Sequence, residues 1–246
     1  MTIITSKANS LIKKTKKLLQ KKYRQYSYLI EGWHLFAEAQ ANNVDIINIF
    51  VLECYASRVS EFPNVVLVSE NILKDLSASK TPQGIVAEIA FPKQVIPQQF
   101  FGKYLLLEDV QDPGNVGTII RTADAAAFDA VFVSEKTADI YNSKTLRSMQ
   151  GSHFHLPIYR VNLLSLVNDL KNADVTIIAT TLSDHSCDYK SLKKVENFAL
   201  IMGNEGQGIT SEMAEQADVL THITMPGRAE SLNVAAAAAI FIFSLI

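Results

Sequence analysis

The sequence predicts an α/β protein in two parts: a small α/β domain, then a larger one whose mostly parallel sheet carries helices on both faces. Three observations predict it. Short aliphatic runs alternate with stretches of helical periodicity along the chain, the pattern of strands and helices packed in layers. Beyond residue 103 strands alternate with helices long enough to serve as crossovers between parallel strands. Between the parts, the stretch F-P-K-Q-V-I-P can continue neither a helix nor a central strand, so residues 92–97 are read as a linker. The expected domains are therefore 1–95 and 103–246.

The elements follow in order. Residues 9–22 read as a helix, because Leu11 and Leu18, and Ile12 and Leu19, stand seven apart on one face and leave most of the lysines to solvent. Residues 26–30 read as a short strand, Gly32 as a break, and Trp33, Phe36, Ala37 and Ala39 as a helix. Strands at 46–52, 65–68 and 85–89, with a helical turn at 72–76, complete the first domain. In the second, strands are predicted at 104–107, 130–133, 158–161, 176–179, 198–202 and 220–223. Helices are predicted at 116–127, 143–149, 163–170, 210–216 and 231–245. No internal repeat or low-complexity tract interrupts them.

Composition narrows the function classes. At 246 residues and 48% hydrophobic, the chain has a full globular core. The lysine-rich N-terminus lacks the apolar run of a secretory signal, and the longest apolar run, 234–243, is shorter than the ~18 residues a membrane span needs. A cytoplasmic protein is expected. Cys54 and Cys187 form no C-x-x-C pair, so neither a disulfide framework nor a zinc site is implied. The formal net charge of −2 hides an asymmetry: residues 1–30 hold eight Lys and Arg and no acid, leaving 15 basic against 25 acidic residues elsewhere. The basic arm, 7–24, suits either a polyanion or a plain solvated helix face.

Chemistry concentrates in three segments. Asn115 to Arg121 reads N-V-G-T-I-I-R, 203–208 reads G-N-E-G-Q-G, and 231–234 reads S-L-N-V. The first two follow predicted strands, where open α/β sheets bind ligands. Asn115 suits a helix N-cap or a site, and Arg121, six residues on, would not share one narrow face with it. G-x-x-G-x-G matches neither a dinucleotide fingerprint nor a phosphate-binding P-loop, but three glycines in six residues bend sharply or admit a close ligand. Glu205 within it needs a partner beyond the turn. Ser231 is a candidate N-cap for the last helix, while Asn233 falls one turn into an apolar helix without an evident reason. Alanines 235–239 allow another backbone to pack closely, within the chain or from a second subunit. His153 and His155 form H-x-H without an acidic or cysteine companion, so no metal is expected; His34, His185 and His222 are isolated.

Together, N-V-G-T-I-I-R-T-A-D-A-A-A-F, I-M-G-N-E-G-Q-G and I-T-M-P-G-R-A-E-S-L-N-V resemble the three motifs of the SpoU (TrmH-like) RNA ribose 2′-O-methyltransferases of the SPOUT superfamily. Y-L-I-E-G-W-H-L-F-A-E-A and T-P-Q-G-I-V-A resemble signatures of that family's N-terminal substrate-binding domain. The resemblance implies a SPOUT domain with a deep trefoil knot, preceded by an RNA-binding domain. It implies a homodimer with the active site at the interface, and S-adenosylmethionine as cofactor. Asn115, Arg121, Glu205, Ser231 and Asn233 match the catalytic positions; Gly203, Ile223 and Leu232 match those whose backbone holds the cofactor. S-K-T-L-R-S-M-Q-G-S fits the family's arginine-serine stretch, with Arg147 an expected phosphate contact beside the arm's Lys13, Lys14, Lys16, Lys17 and Arg24. Arg160 is a further basic residue that could meet RNA. Asp129 stands where the family often has glycine after the phenylalanine of the first motif.

The implied reaction is displacement at a sulfonium methyl by a ribose 2′-hydroxyl of ribosomal or transfer RNA, with alignment and proton removal left to the protein. Arg121 would serve as base or, since guanidinium stays protonated, as a clamp on phosphate and forming alkoxide. An antibiotic-resistance rRNA methyltransferase and a non-catalytic RNA-binding or ribosome-assembly protein of the same fold are the alternatives; the complete catalytic set weighs against the second.

Overall fold

The structure is a computed structural model that describes residues 2–93 and 95–246. Gln94, inside the expected linker, and Met1 lie outside the described residues. The chain divides into two compact units, one comprising the chain up to Lys93 together with Tyr141–Phe154, the other the rest.

In the first unit a four-stranded sheet has β1 (Ser27–Glu31) beside β4 (Ile85–Ala90), then β2 (Ile46–Val51) and β3 (Val65–Leu67). β4 runs antiparallel to both β1 and β2, while β2 and β3 are parallel. The helices are α1 (Ser10–Lys17), α2 (Trp33–Ala41), α3 (Glu70–Leu76) and, returning from later in the chain, α5 (Ser143–Met149). The expected helix at 9–22 is shorter than its pattern, ending in a turn and a 3₁₀ segment at Lys21–Tyr23. Asn9 caps α1 by accepting from the N–H groups of Leu11 and Ile12. Ile12 is buried with Phe50, Val68, Ile72, Leu73, Leu76 and Val86, so the basic arm is docked on the unit's core. Lys13, Lys14, Lys16 and Lys17 face outward, Arg24 is half-buried, and Lys7 and Lys16 pair with Asp75 at 2.9 and 3.3 Å. Glu88, buried on the central strand, accepts from Ser27 Oγ and Asn48 Nδ2, each at 2.7 Å, so its carboxylate is paired as burial demands.

The second unit holds a seven-stranded sheet in the order β7-β6-β5-β10-β8-β11-β9. Its strands are β5 (Lys103–Leu107), β6 (Ala130–Val133), β7 (Ile158–Arg160), β8 (Thr176–Thr180), β9 (Cys187–Asp188), β10 (Phe198–Met202) and β11 (Val219–His222). Every pairing is parallel. The helices are α4 (Pro113–Ala125), α6 (Leu163–Asn172), α7 (Ser211–Gln216) and α8 (Val234–Ser244). β5, β6 and β7 run outward to one side and β8, β11 and β9 to the other, so the order reverses at the β5–β10 pair. Met202 pairs with Leu107 there, which brings the carboxyl ends of both strands to the same level. All five residues of β10 are buried, as a central strand covered on both faces requires.

Two helix starts differ from expectation. α8 begins at Val234, three residues later than predicted, and its N-cap is Asn233, not Ser231. α4 begins at Pro113, a favoured first-turn proline, with Asp112 as the N-cap and Asn115 inside the first turn. Strand β9, two residues long, carried no periodic signal. Among the described residues no helix is long and apolar enough to cross a membrane, and both cysteines are free.

Ile12→Ala should lower the first unit's stability by about 2–4 kcal/mol, the usual cost of emptying a packed aliphatic site. Trp33, the single tryptophan, reports on that unit in urea unfolding. An unchanged midpoint would mean that the arm is undocked in solution.

Candidate active site

The site begins where β5 and β10 end side by side. After β10 the chain turns at once: Asn204 and Gly208 exchange backbone hydrogen bonds at 2.9 and 3.0 Å. Asn204 Oδ1 accepts from the N–H groups of Gly206 and Gln207, and its Nδ2 donates to Asp109 O at 2.9 Å, tying this turn to the one after β5. Only glycine fits at 203, since a Cβ there would strike the backbone of Gly208 and Ile209. Glu108 is buried at the end of β5 and accepts from both the N–H and the hydroxyl of Thr210, at 2.9 and 2.8 Å, anchoring the start of α7.

Glu205 projects from the tip of that turn to the start of α4. It accepts from the N–H groups of Gln111 and Asp112 at 3.1 and 3.0 Å and from Asn115 Nδ2 at 3.1 Å. Burial pushes its carboxyl up, but the hydrogen bonds from Asp112, Asn115 and Gln111 outweigh it and hold the pKa below the ordinary carboxylate value. Asn115 Oδ1 in turn accepts from Asn233 Nδ2 at 3.0 Å, and Asn233 Oδ1 accepts from the N–H groups of Ala235 and Ala236. The amide orientations are forced. A carboxylate only accepts, so Asn115 must turn its nitrogen to Glu205 and its oxygen to Asn233; the free N–H groups of α8 require the oxygen of Asn233. Three segments far apart in sequence thus meet in one directed relay.

Beside this relay lies a cleft of about 190 Å³ whose walls include Gly203, Ile223, Leu232 and Ser231, together with Leu182 and Phe241. The three residues expected to hold a cofactor and two of the expected catalytic residues, Glu205 and Ser231, therefore line one cavity. Asp188 and Thr224, which sequence reasoning passed over, hold the edge of it. Asp188 Oδ2 accepts from both the N–H and the hydroxyl of Thr224, fixing the peptide that follows Ile223. The Thr224 hydroxyl, first among its partners, draws the Asp188 carboxyl below the usual carboxylate range. Ser186 Oγ lies 2.8 Å from His222 Nδ1 on the adjoining strand end, so His222 is part of this frame. No local spacing could have marked these residues, because β9 brings them in.

Arg121 is the exception among the expected catalytic residues. It stands exposed on α4, outside the cleft, and its side chain makes no hydrogen bond or ion pair among the described residues. Arg147 is exposed on α5, in the first unit. Arg160 is committed within the fold and not to RNA, donating to the carbonyls of Ser134, Glu135, Thr137 and Ala138. Burial lowers its pKa from the usual guanidinium value, and its donors hold the loop after β6. Asp129, at the variant position of the first motif, accepts from Lys103 N–H at 2.8 Å, a local tie into β5. Among the described residues no group of three or more His, Cys, Asp or Glu is placed to hold a metal ion.

Comparison with known proteins places this geometry in context. Residues 102–243 match the SpoU rRNA Methylase family, and residues 9–87 match the MRM3-like substrate binding domain. The chain is 41% identical to the 23S rRNA (guanosine(2553)-2′-O)-methyltransferase RlmP of Bacillus subtilis, over 100% of its own length and 99% of that protein's. A crystal structure of an AdoMet-bound rRNA methyltransferase from Sinorhizobium meliloti superposes with a TM-score of 0.89 at 32% identity, covering 99% of this chain and 97% of that one. The SpoU methyltransferase AviRb of Streptomyces viridochromogenes, at 24% identity and a TM-score of 0.85 over 96% of this chain and 97% of that one, shares the fold.

The double role of Asn233 can be separated. Asn233→Ala removes the cap and the donor to Asn115 and should cost about 1 kcal/mol of stability. Asn233→Asp keeps an acceptor for the α8 N–H groups, so it should recover most of that loss in thermal melts. Both should lose at least about 10²-fold in turnover, since both lack the donor; normal turnover in the Asp variant would reduce the relay to a cap.

The lowered pKa of Glu205 sets a sign for pH. Its contribution is fully present above the unfolded value and is lost as the pH falls through the lower folded value. The melting temperature of Glu205→Gln should therefore lie below that of the parent by a constant margin above about pH 5. The margin should close on further acidification, and one that widens there would contradict the assignment.

Proposed function

The chain belongs to the SpoU rRNA methylase family, and we propose that it transfers the methyl group of S-adenosylmethionine to a ribose 2′-hydroxyl of ribosomal RNA. The observation that carries this reading is the relay from Glu205 through Asn115 to Asn233 beside the cleft lined by Gly203, Ile223 and Leu232. The cleft suits the cofactor: a tight glycine turn on one side, backbone fixed by Asp188 and Thr224 on another, and apolar Leu182 and Phe241 between. S-adenosylmethionine supplies an electrophilic methyl on a sulfonium, already a good leaving group, so the protein's work is alignment and handling of one proton.

Asn115 and Asn233 hold the α4 and α8 starts in register with the glycine turn, and Ser231 lies at the rim of the cleft where the ribose would enter. Arg121 clamps the substrate phosphate and stabilises the alkoxide that forms as the hydroxyl proton passes to solvent at the open mouth of the cleft. It reaches no site in its own subunit in this reading. Six residues of helix turn the chain about 240° past the direction of Asn115, and Arg121 has no partner among the described residues. We therefore assign it to the active site of a second copy in a homodimer. Phe243, 54% exposed on α8, and the exposed Ala236 are available for such an interface.

The remaining parts of the reading follow from family membership. The SPOUT domain of 103–246 would carry the trefoil knot, and 1–95 would bind RNA, with Lys13, Lys14, Lys16, Lys17 and Arg24 on backbone phosphates. The protein would act in the cytoplasm, without a metal.

Two measurements test it. Mapping of 2′-O-methylation over total rRNA, with and without this gene, should show one ribose that loses its mark; an unchanged map would sink the reading. Arg121→Ala and Asn233→Ala should each abolish transfer alone, yet a mixed dimer of the two should regain about half the parent's activity, because one of its two sites then has both residues. An inactive mixed dimer would place Arg121 in its own subunit's site, and an active Arg121→Ala homodimer would put it outside the mechanism.

A further inference from the structure

Three sequence stretches that resemble family signatures have no part in the methyl transfer: E-G-W-H at the end of β1, T-P-Q-G before β4, and the segment around Arg147. In the first unit they line a single cavity of about 300 Å³. Its size is at the lower end of small-ligand clefts, right for one nucleotide and too small for a duplex.

The lining is polar and incompletely satisfied. Arg147 Nη1 donates to Ser79 Oγ at 3.2 Å, and no carboxylate lies within ion-pair distance of the guanidinium among the described residues. A planar fork with most of its donors uncommitted is suited to phosphate. The Gln83 carboxamide lies against Gly32, makes no hydrogen bond among the described residues, and offers both a donor and an acceptor. His34 Nε2 donates to Gln150 O at 3.1 Å, leaving Nδ1 uncommitted. Glu31 accepts from Ser79 N–H at 3.3 Å, which fixes the loop that carries Ser79 and Thr81. Gly32 and Gln150, at φ of 95° and 52°, hold the cavity's walls in left-handed backbone.

We propose that this cavity is a subsite for one unstacked nucleotide of the RNA substrate, with its phosphate on Arg147 and its base edge on Gln83 and His34. The lining contains no aromatic ring other than the imidazole of His34, so the base is read by its hydrogen-bonding edge and not by stacking. The subsite rests on the reading of the chain as an RNA methyltransferase and adds a second point of RNA recognition, built wholly from the first unit.

The test uses the full chain, with 23S rRNA from cells lacking this gene, a single-stranded RNA dodecamer, uridine monophosphate and inorganic phosphate as probes. Arg147→Gln, which keeps a donor for Ser79, should raise KM for rRNA about tenfold. It should leave KM for S-adenosylmethionine unchanged and flatten the log–log salt dependence of RNA binding by about 0.7. Trp33 Nε1 donates to Gln83 O, so its emission should respond to the dodecamer in the parent and not in the variant. Gln83→Ala should repeat the KM effect without the change in salt slope. Wild-type KM and slope in Arg147→Gln would overturn the subsite while the methyltransferase reading stands. Inorganic phosphate displacing the dodecamer as well as uridine monophosphate does would overturn it too, reducing the cavity to an anion site. A parent protein that methylates no ribose would remove both.

Discussion

A carboxylate has no proton to give at neutral pH, and that fact about Glu205 orders the site. Because its oxygens can only accept, Asn115 must present its amide nitrogen; because Asn115 then presents its oxygen, Asn233 must present a nitrogen; and Asn233 is left with an oxygen for the N–H groups that open α8. Each amide has one orientation, and the backbone N–H groups of Gln111 and Asp112 secure the start of the chain of bonds. A neutral side chain at 205 would release the relay at one end only, since the N–H groups of Ala235 and Ala236 still hold the oxygen of Asn233 at the other. The burial that opposes the charge is outweighed by the donors that surround it, which is why the carboxyl titrates low and not high.

The sheet makes this possible. Strand order reverses at β5 and β10, so the loops that leave their carboxyl ends diverge and open a crevice between them. Their level alignment, with Met202 opposite Leu107, puts Glu108, Asp109 and Asn204 close enough to tie the two loops together. What an all-parallel sheet with buried central strands contributes is rigidity beneath loops that are themselves polar and partly exposed.

Much of the architecture was legible because its signal is local. The aliphatic runs of β5, β6 and β10 have no reading other than buried strands, and helices α5 and α6 carry their own periodicity. What escaped the sequence depended on tertiary partners. S-L-N-V offers two capping residues, and only Asn115, 118 positions earlier, decides for Asn233 over Ser231. Tyr141–Phe154 lies among second-unit elements in sequence yet packs in the first unit, against β1, where Tyr28 and Tyr141 meet at 4.5 Å between ring centres. Arg160 looked like a hand for phosphate, and its carbonyl partners are visible only once the loop after β6 is folded. The basic arm read correctly as a lysine-faced helix, but the pairing of Lys7 and Lys16 with Asp75 was beyond reach of charge counting.

The N-cap of α8 has a consequence for how the site forms. Helix ends fray one residue at a time, but a cap closes the first turn as a unit, and that closure is the costly nucleating step. Here the capping side chain also donates to Asn115, so closing the first turn of α8 and aligning that amide draw on the same residue. One side chain thus serves as both hinge-pin of the last helix and link to the catalytic turn, and a change at 233 reaches both at once.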